Sequence, residues 1–564
     1  MGRTGIVEGT VNMVEEDSDN MKGLPIGEDN FRYIRDKGLF YVDKSAFIDR
    51  ILANDSRVYL FTRPRRFGKS MNLSMLDAYL NIGYGSRAKA WFDGLEITRL
   101  RPEDPNRGAY PVILLNMKNI SVDSEKDAKE SFRDMVATMY GRYDFMKDSD
   151  RIDSAMRNRF SEYTGKTADD STLTNSLWNL SMMLHAYYGK RVVILVDEYD
   201  NLINSFYGRP EQESMLRFVR NILSPALKSN DSLQFAVVTG VMQITKESIF
   251  SGLNNMVVYN ILSRDFADMF GFTGSEVEAI LAEANHPEKI GTAKEWYDGY
   301  RFGEAEVYNP WSILRYVGSD FEAKPYWVDT GSDTVLKGMI RDADDESCNA
   351  MVTLARGGSV LFEINPETTF EHLRATSSDL MSILAMSGYL NAVPAEDGMY
   401  RLSAPNNEVR GELERQMLSL AAPNNARRLA RDFNDALIGG DTAGAEDAIG
   451  EILMRHFGSL ALTNEGEYRN LLAGLLVATA SGYDVSVERE AGIGRFDIRM
   501  LSNGHGPSVV IEVKILGSGD SDDLEAAARK GLEQARARKY GHGAGDVRLY
   551  GMAFRGKTVR LVDS

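Results

Sequence analysis

Four short, near-continuous apolar runs in the first 240 residues constrain this chain most. They are RVYLFT (57–62), YPVILLNM (110–117), RVVILVDE (191–198) and LQFAVVTG (233–240). Runs of this kind suit strands of a parallel sheet covered on both faces, because a half-exposed strand would alternate apolar and polar residues. Helical patterns such as SLWNLSMMLHAYYG lie between them. The alternation predicts a three-layer α/β domain.

The first run leads into RPRRFGKS and then a helical pattern, which is the layout of a phosphate-binding P-loop with Arg63 in place of the first glycine. Backbone N–H groups and a helix N-terminus surround phosphate oxygens in such a loop. The expected nucleotide-binding residues are Arg63, Pro64, Arg65, Arg66, Phe67, Gly68, Lys69 and Ser70, with Lys69 on the phosphates and Ser70 on magnesium. An arginine at 63 restricts the backbone and offers a further charge to a phosphate. The third run ends in two acids, as a Walker B strand does. Asp197 is the expected second magnesium ligand and Glu198 the group that polarises attacking water. Thr239 and Gln243, past the fourth run, are secondary candidates for sensing the γ-phosphate. NPWSI at 309–313 reads as packing.

From about 260 the pattern turns to helices with polar breaks. SSDLMSILAMSGYLNAVPAEDGMYRLSAPNNEVRGELERQML reads helix, strand, turn at Glu396-Asp397-Gly398, strand, helix, the order of a winged-helix-like unit. NDALIGGDTAGAEDA suggests the last boundary. The C-terminal hundred residues read αβββαββ. The expected organisation is a flexible leader over 1–22, a P-loop domain over 23–260, a helical lid with the winged-helix-like unit over 261–435, and a C-terminal α/β domain over 445–564.

Within that last domain Asp497 is expected in one strand, with Glu512 and Lys514 two residues apart on the same face of the next. Two carboxylates there make a hard-oxygen site suited to Mg2+ or Mn2+. A metal so held polarises a scissile phosphate, while Lys514 orients the nucleophile or offsets charge on the phosphorane. An E-x-K strand can also be a plain exposed face; Asp497 upstream, an acidic helix before and a basic helix after favour the site.

Composition narrows the partners. The net charge of -17 disfavours a general nucleic-acid coat protein. Residues 529–560 nevertheless carry nine Lys and Arg against Glu533 and Asp546, so a polyanion is favoured at that end. No run approaches the roughly 18 apolar residues that would span a membrane, and the N-terminus lacks the pattern of a secretory signal. One cysteine, Cys348, cannot form an internal disulfide, which fits a reducing cytoplasm. Six histidines without ligand spacing give no case for structural zinc.

LPIGEDNFRYIRDKGLFYVDKSAFI and LFTRPRRFGKSMNLSML, with TGVMQITKESIFSGLNN, WYDGYRFGEAEVYNPWSIL and SGYLNAVPAEDGMYRLSAPNNEVR, resemble the AAA-ATPase-like family over roughly residues 22–415. The resemblance implies a loop that characteristically begins with arginine and proline, and ATP as ligand. Over about 450–564 the chain resembles the PD-(D/E)XK nuclease superfamily, in the version commonly fused behind that domain. This implies a restriction-endonuclease-like fold and a metal-dependent nuclease, with Asp497, Glu512 and Lys514 as its core. The helix motif E-x-x-Y-H of that version meets EGEYR here. Glu465 takes the acidic place, with Glu467 a nearby rival, Tyr468 takes the tyrosine, and Arg469 replaces the histidine. Gln534 matches a glutamine on a later helix. The expected function is an ATP-binding and ATP-hydrolysing protein that controls cleavage of phosphodiester bonds, in DNA. The alternatives are a signalling or scaffold protein whose C-terminal domain binds nucleic acid or protein without cutting, and a plain ATPase with a vestigial tail.

Overall fold

The structure, a computed structural model, describes residues 22–243, 256–327, 344–367, 376–421, 426–456 and 464–564, less 478, 481, 488–489, 492–493, 505, 518–522 and 541–544. The expected leader thus lies outside the described residues except for Lys22, as does TGVMQITKESIFSGLNN from residue 244 on.

The four apolar runs form β1 (Val58–Thr62), β2 (Val112–Asn116), β3 (Val192–Asp197) and β4 (Leu233–Gly240). A fifth strand, β5 (Met256–Tyr259), joins them in a parallel sheet of order β2-β3-β4-β1-β5. β1 and β3 are buried at every position, as continuous apolar runs require. β5 sits at the edge with only Tyr259 buried, so it has no such run to betray it. Apolar cores cover both faces of this sheet. The register sets Thr62 beside Gly240 and Asn116 beside Asp197, so the carboxyl ends of β1 to β4 share one edge.

The lid is less purely helical than expected. It contains a small antiparallel sheet of β6 (Phe272–Thr273), β7 (Tyr300–Phe302) and β8 (Ala305–Tyr308). Beyond it, β9 (Ser359–Phe362), β10 (Asn391–Pro394) and β11 (Tyr400–Ser403) make a three-stranded antiparallel sheet of order β10-β11-β9. With the helices Asp345–Ala355, Ser377–Met386 and Asn407–Ala421 this is a winged-helix-like arrangement.

The stretch expected to hold the last boundary is largely helical. It lies in two helices, Ala426–Gly439 and Thr442–His456, that turn at Gly440 with a φ of 80° and pack on the C-terminal domain. Tyr550 Oη donates to Leu437 O (2.7 Å), and Glu446 Oε1 accepts from Leu561 N (2.6 Å). The Gly and Asp content marks the turn between these helices.

The C-terminal sheet runs β12 (Tyr483–Val487), β15 (Ile498–Ser502), β16 (Ser508–Ile515), β17 (Val547–Arg555), β18 (Thr558–Asp563). β16 and β17 are parallel and the other neighbours antiparallel. A two-residue pair, β13 (Glu490–Ala491) and β14 (Gly494–Arg495), stands apart. The helix Glu465–Val477 precedes the sheet and Leu524–Ala537 crosses from β16 to β17. That crossover helix comes so close to β17 that a Cβ on Gly551 would lie 1.9 Å from Ala528 O.

Candidate functional site

Two sites stand at opposite ends of the chain. At the first, Gly68 adopts a φ of 82° as N-cap of the helix Lys69–Leu80, and Arg66 also has a positive φ of 69°. These conformations fold the loop back over the helix N-terminus. Asp197, at the end of β3, is the hub. Its Oδ2 accepts from Ser70 Oγ (2.6 Å) and Asn116 Nδ2 (3.0 Å), and its Oδ1 from Thr239 Oγ1 (2.6 Å). The P-loop hydroxyl, the Walker B acid and the β4 threonine are thus one network.

Lys69 is buried, and its Nζ donates to Arg63 O and Pro64 O, both at 2.8 Å. Burial holds its ammonium below the ordinary value, against the pull of Glu198, Asp197 and Asp200. Glu198 has a strained φ of 50° and faces the adjoining cavity. Its carboxyl is raised by burial and pulled back by Lys69. Asp200 caps the exit of β4 by accepting from Val241 N (2.9 Å) and Met242 N (3.0 Å).

The cavity has a volume of about 380 Å3 and is lined by loop residues Arg65 to Asn72 together with Glu198. Apolar side chains also line it, among them Phe40, Tyr41, Val42, Phe272, Pro310 and Trp311, together with the charged Glu28, Asp29, Lys44 and Lys118. Trp311, within the NPWSI stretch read as packing, is among these lining residues. Asn309 caps the helix Pro310–Gly318, and the Arg66 guanidinium stacks 4.2 Å from the Trp311 ring centroid.

Arg63 corrects the expectation of a charge near phosphate. Its side chain is fully buried behind the loop, donating from Nη1 to Thr62 O (3.0 Å) and Tyr259 O (2.8 Å). It lies 5.0 Å from the Phe270 centroid and 5.2 Å from that of Phe302. Pro64 likewise packs away, against Gly388, whose φ is 90°. Phe67 contributes backbone, because its ring is buried against Tyr300 and Phe302. Gln243 is buried beyond β4 and is not among the cavity residues. Asn116 was missed, although a polar residue closing an apolar strand was a usable signal.

At the second site Asp497 lies one residue ahead of β15, not within it. Because Ile498 pairs with Ile511, Asp497 stands opposite Glu512. Asp497 Oδ2 accepts from Val513 N (2.6 Å). Glu512 is 2% exposed; its Oε1 accepts from Lys514 Nζ (3.1 Å) and from Gln534 Nε2. Its Oε2 is buried and accepts no hydrogen bond among the described residues. Burial, then the Asp497 charge, push the Glu512 carboxyl up to about 7, with Lys514 opposing. Asp497, Glu512, Lys514 and Gln534 are therefore brought together.

Glu465 is not in contact with them; it is exposed in the first helical turn, on the face of Arg469 one turn on. Glu467 Oε2 accepts from Asn464 N (3.3 Å) while Asn464 Oδ1 accepts from Glu467 N (3.0 Å), a reciprocal cap. Tyr468 stacks on Phe554 at 4.3 Å and donates to Gly556 O (2.6 Å), which makes it a packing residue. Arg469 reaches the site itself, placing Nη1 3.2 Å from Asp497 Oδ1. Among the described residues no cluster of three or more His, Cys, Asp or Glu is gathered for a metal, and the carboxylates brought together here are Asp497 and Glu512.

Residues 25–250 match the family model of predicted AAA-ATPases, and residues 463–564 match that of the PD-(D/E)XK nuclease superfamily. An "Uncharacterized protein in vnfD 5'region" of Azotobacter chroococcum mcd 1 is 28% identical over 506 residues, spanning 86% of this chain and 88% of that one. The solved Aeropyrum pernix ORC2 protein (ADPNP-ADP complexes) aligns over 70% of this chain and 96% of its own at 11% identity; its TM-score of 0.20 carries no argument. No described helix is long and apolar enough to cross a membrane.

Proposed function

With a predicted AAA-ATPase domain and a PD-(D/E)XK nuclease superfamily domain in one chain, we propose that ATP binding and hydrolysis at the first site control metal-dependent cleavage of nucleic acid, DNA in particular, at the second. The observation that carries the cleavage is the buried Oε2 of Glu512, which accepts no hydrogen bond among the described residues, on a residue that stands opposite Asp497. A buried carboxylate oxygen without a donor is costly, and a hard divalent cation, Mg2+ or Mn2+, would satisfy it. Asp497 and Glu512 would hold the ion, which when bound would supply Lewis acidity to a phosphodiester oxygen. Gln534 pins Glu512 Oε1, and Lys514, on the same oxygen, is placed to orient the attacking water or to balance charge building on phosphorus.

At the first site Lys69 would exchange its loop carbonyls for phosphate oxygens, and Ser70 with Asp197 would hold magnesium. Glu198 would take the proton of the attacking water, a role helped by its raised carboxyl. The apolar side chains of the lining, Trp311 among them, suit a nucleobase.

Control is supported by a run of contacts through the winged-helix-like unit. Trp327 Nε1 donates to Arg65 O (3.2 Å), and Trp327 N donates to Glu408 Oε1 (2.6 Å). Ser312, beside Trp311, donates to Glu408 Oε2 (2.8 Å). On the other side Arg356 donates to the carbonyls of Leu476, Val477, Ala480 and Tyr483. The single cysteine fits a cytoplasmic setting.

The test is incubation of the protein with plasmid and Mg2+ or Mn2+, with and without ATP, alongside Glu512→Ala. Metal-dependent cleavage that responds to ATP and is lost in the variant is expected. Absence of cleavage under every nucleotide and metal condition would overturn it in favour of a binding scaffold. One feature favours that second reading: Asp497 already has a cation, Arg469, against it.

A further inference from the structure

Arg469 is almost wholly buried (5% exposed), yet it sits on a proposed metal ligand. Asp497 presents Oδ2 to the Val513 amide and Oδ1 to the Arg469 guanidinium. Glu512 presents Oε1 to Lys514 and Gln534 and leaves Oε2 open. The pair thus offers one open oxygen and one covered by a fixed positive charge.

Charge makes the same point. Among the described residues, two carboxylates, Asp497 and Glu512, face two cations, Arg469 and Lys514. The arginine side chain brings a positive charge to the pair. A divalent ion arriving between Asp497 and Glu512 would face it at close range in a poorly screened interior, where like charges repel most. Arg469 therefore opposes the ion for as long as it stays on Asp497 Oδ1. The natural acceptor to draw it off is a phosphate, which the planar guanidinium matches with paired hydrogen bonds as well as it matches a carboxylate.

We propose that Arg469 is a built-in counter-ion that guards the Asp497–Glu512 pair against divalent cations until a nucleic-acid phosphodiester takes over its guanidinium. Arg469 is on this account a positioning residue that makes cation and nucleic acid bind together. The inference rests on the metal-dependent reading above. Thermodynamic reciprocity adds that the cation should strengthen nucleic-acid binding by the same factor that nucleic acid strengthens cation binding.

The experiment measures Mn2+ binding by full-length, nucleotide-free protein, using calorimetry and the electron paramagnetic resonance of free Mn2+. It is repeated with an uncleavable phosphorothioate duplex. Wild type should bind Mn2+ weakly alone and at least tenfold more tightly with the duplex. Arg469→Gln should bind at least tenfold more tightly than wild type without duplex and gain little from it. Arg469→Met, neutral, unbranched and without a hard donor for Mn2+, should behave like the glutamine variant and covers the case in which glutamine does not fold. Melting in EDTA reports the counter-ion directly, and both variants should melt below wild type, because Asp497 loses its partner. Mn2+ affinity in the Arg469 variants equal to or weaker than wild type would overturn the proposal and leave the nuclease reading standing. Adding Glu512→Gln separates the other failure: if Mn2+ binding is then unchanged, the ion is elsewhere and the metal-dependent reading itself falls.

Discussion

Glu408→Gln tests the junction between the nucleotide cavity and the winged-helix-like unit. Glu408 is 1% exposed, and it accepts from the Tyr326 and Trp327 amides and from Ser312 Oγ. Burial raises its carboxyl from 4.5 to about 7, against those three donors. The folded protein therefore holds this proton more tightly than the unfolded chain. The resulting stability is fully present below about 4.5 and is lost as pH rises towards 7. At about 1.4 kcal/mol per decade of affinity, the loss amounts to roughly 3 kcal/mol. Glutamine keeps the shape and one acceptor oxygen but does not titrate. The stability of wild type relative to Glu408→Gln should fall by about 2–3 kcal/mol between pH 5 and pH 8. Guanidinium unfolding of both proteins at the two pH values measures this difference and cancels the other titrating groups. A chain of several domains need not unfold in one step, so hydrogen exchange at the Tyr326 and Trp327 amides gives the local readout. A difference that stays constant across this range would refute the reasoning, because Glu408 would then be ionised in the fold throughout.

Lys69→Ala should weaken ATP binding about 100-fold, as a charged hydrogen-bond donor to phosphate is lost; an unchanged affinity by calorimetry would put the phosphates elsewhere. Gly551→Ala should destabilise the C-terminal domain by about 1–3 kcal/mol, since its Cβ would meet Ala528 O at 1.9 Å and Leu532 N at 2.6 Å. The displaced helix also carries Gln534, so cleavage should fall while ATP binding persists; wild-type melting and cleavage would show that the helix yields freely.

The readable parts of this chain were those where one local pattern has one packing solution. Continuous apolar runs gave β1 to β4, since a strand buried on both faces has no polar positions to alternate. The E-x-K spacing placed Glu512 and Lys514 together because strand geometry has a period of two residues. What stayed hidden depended on backbone turns or distant partners. Arg63 occupies a glycine's place in the motif, but the direction its side chain leaves the loop is decided by the neighbouring positive φ values and by Tyr259, nearly two hundred residues on. β5 is an edge strand with a mixed face, and the helices flanking Gly440 read only as a boundary region because small residues serve helix turns and domain junctions alike. Arg469 was visible as a substitution in a motif; its contact with Asp497 joins a helix to a strand edge, and no spacing rule relates those two positions.

The winged-helix-like unit shows how topology can be legible while its use is not. An element order of this type suggests a helix laid in a nucleic-acid groove, yet no residue of Ser377–Met386 is exposed. The turn between β10 and β11 carries Glu396 and Asp397, which a phosphate backbone would repel. Both features that would read a duplex are therefore unsuited to it. The same unit touches Pro64 of the P-loop through Gly388, whose Cβ would stand 2.6 Å from the proline ring, and holds the C-terminal domain through Arg356. A module buried on its reading helix and fastened at both ends joins the P-loop to the C-terminal domain. On the proposed reading, nucleotide-dependent movement of the P-loop would reach the C-terminal domain through this unit, and the Lys and Arg residues of 529–560, not the wing, would meet the nucleic acid.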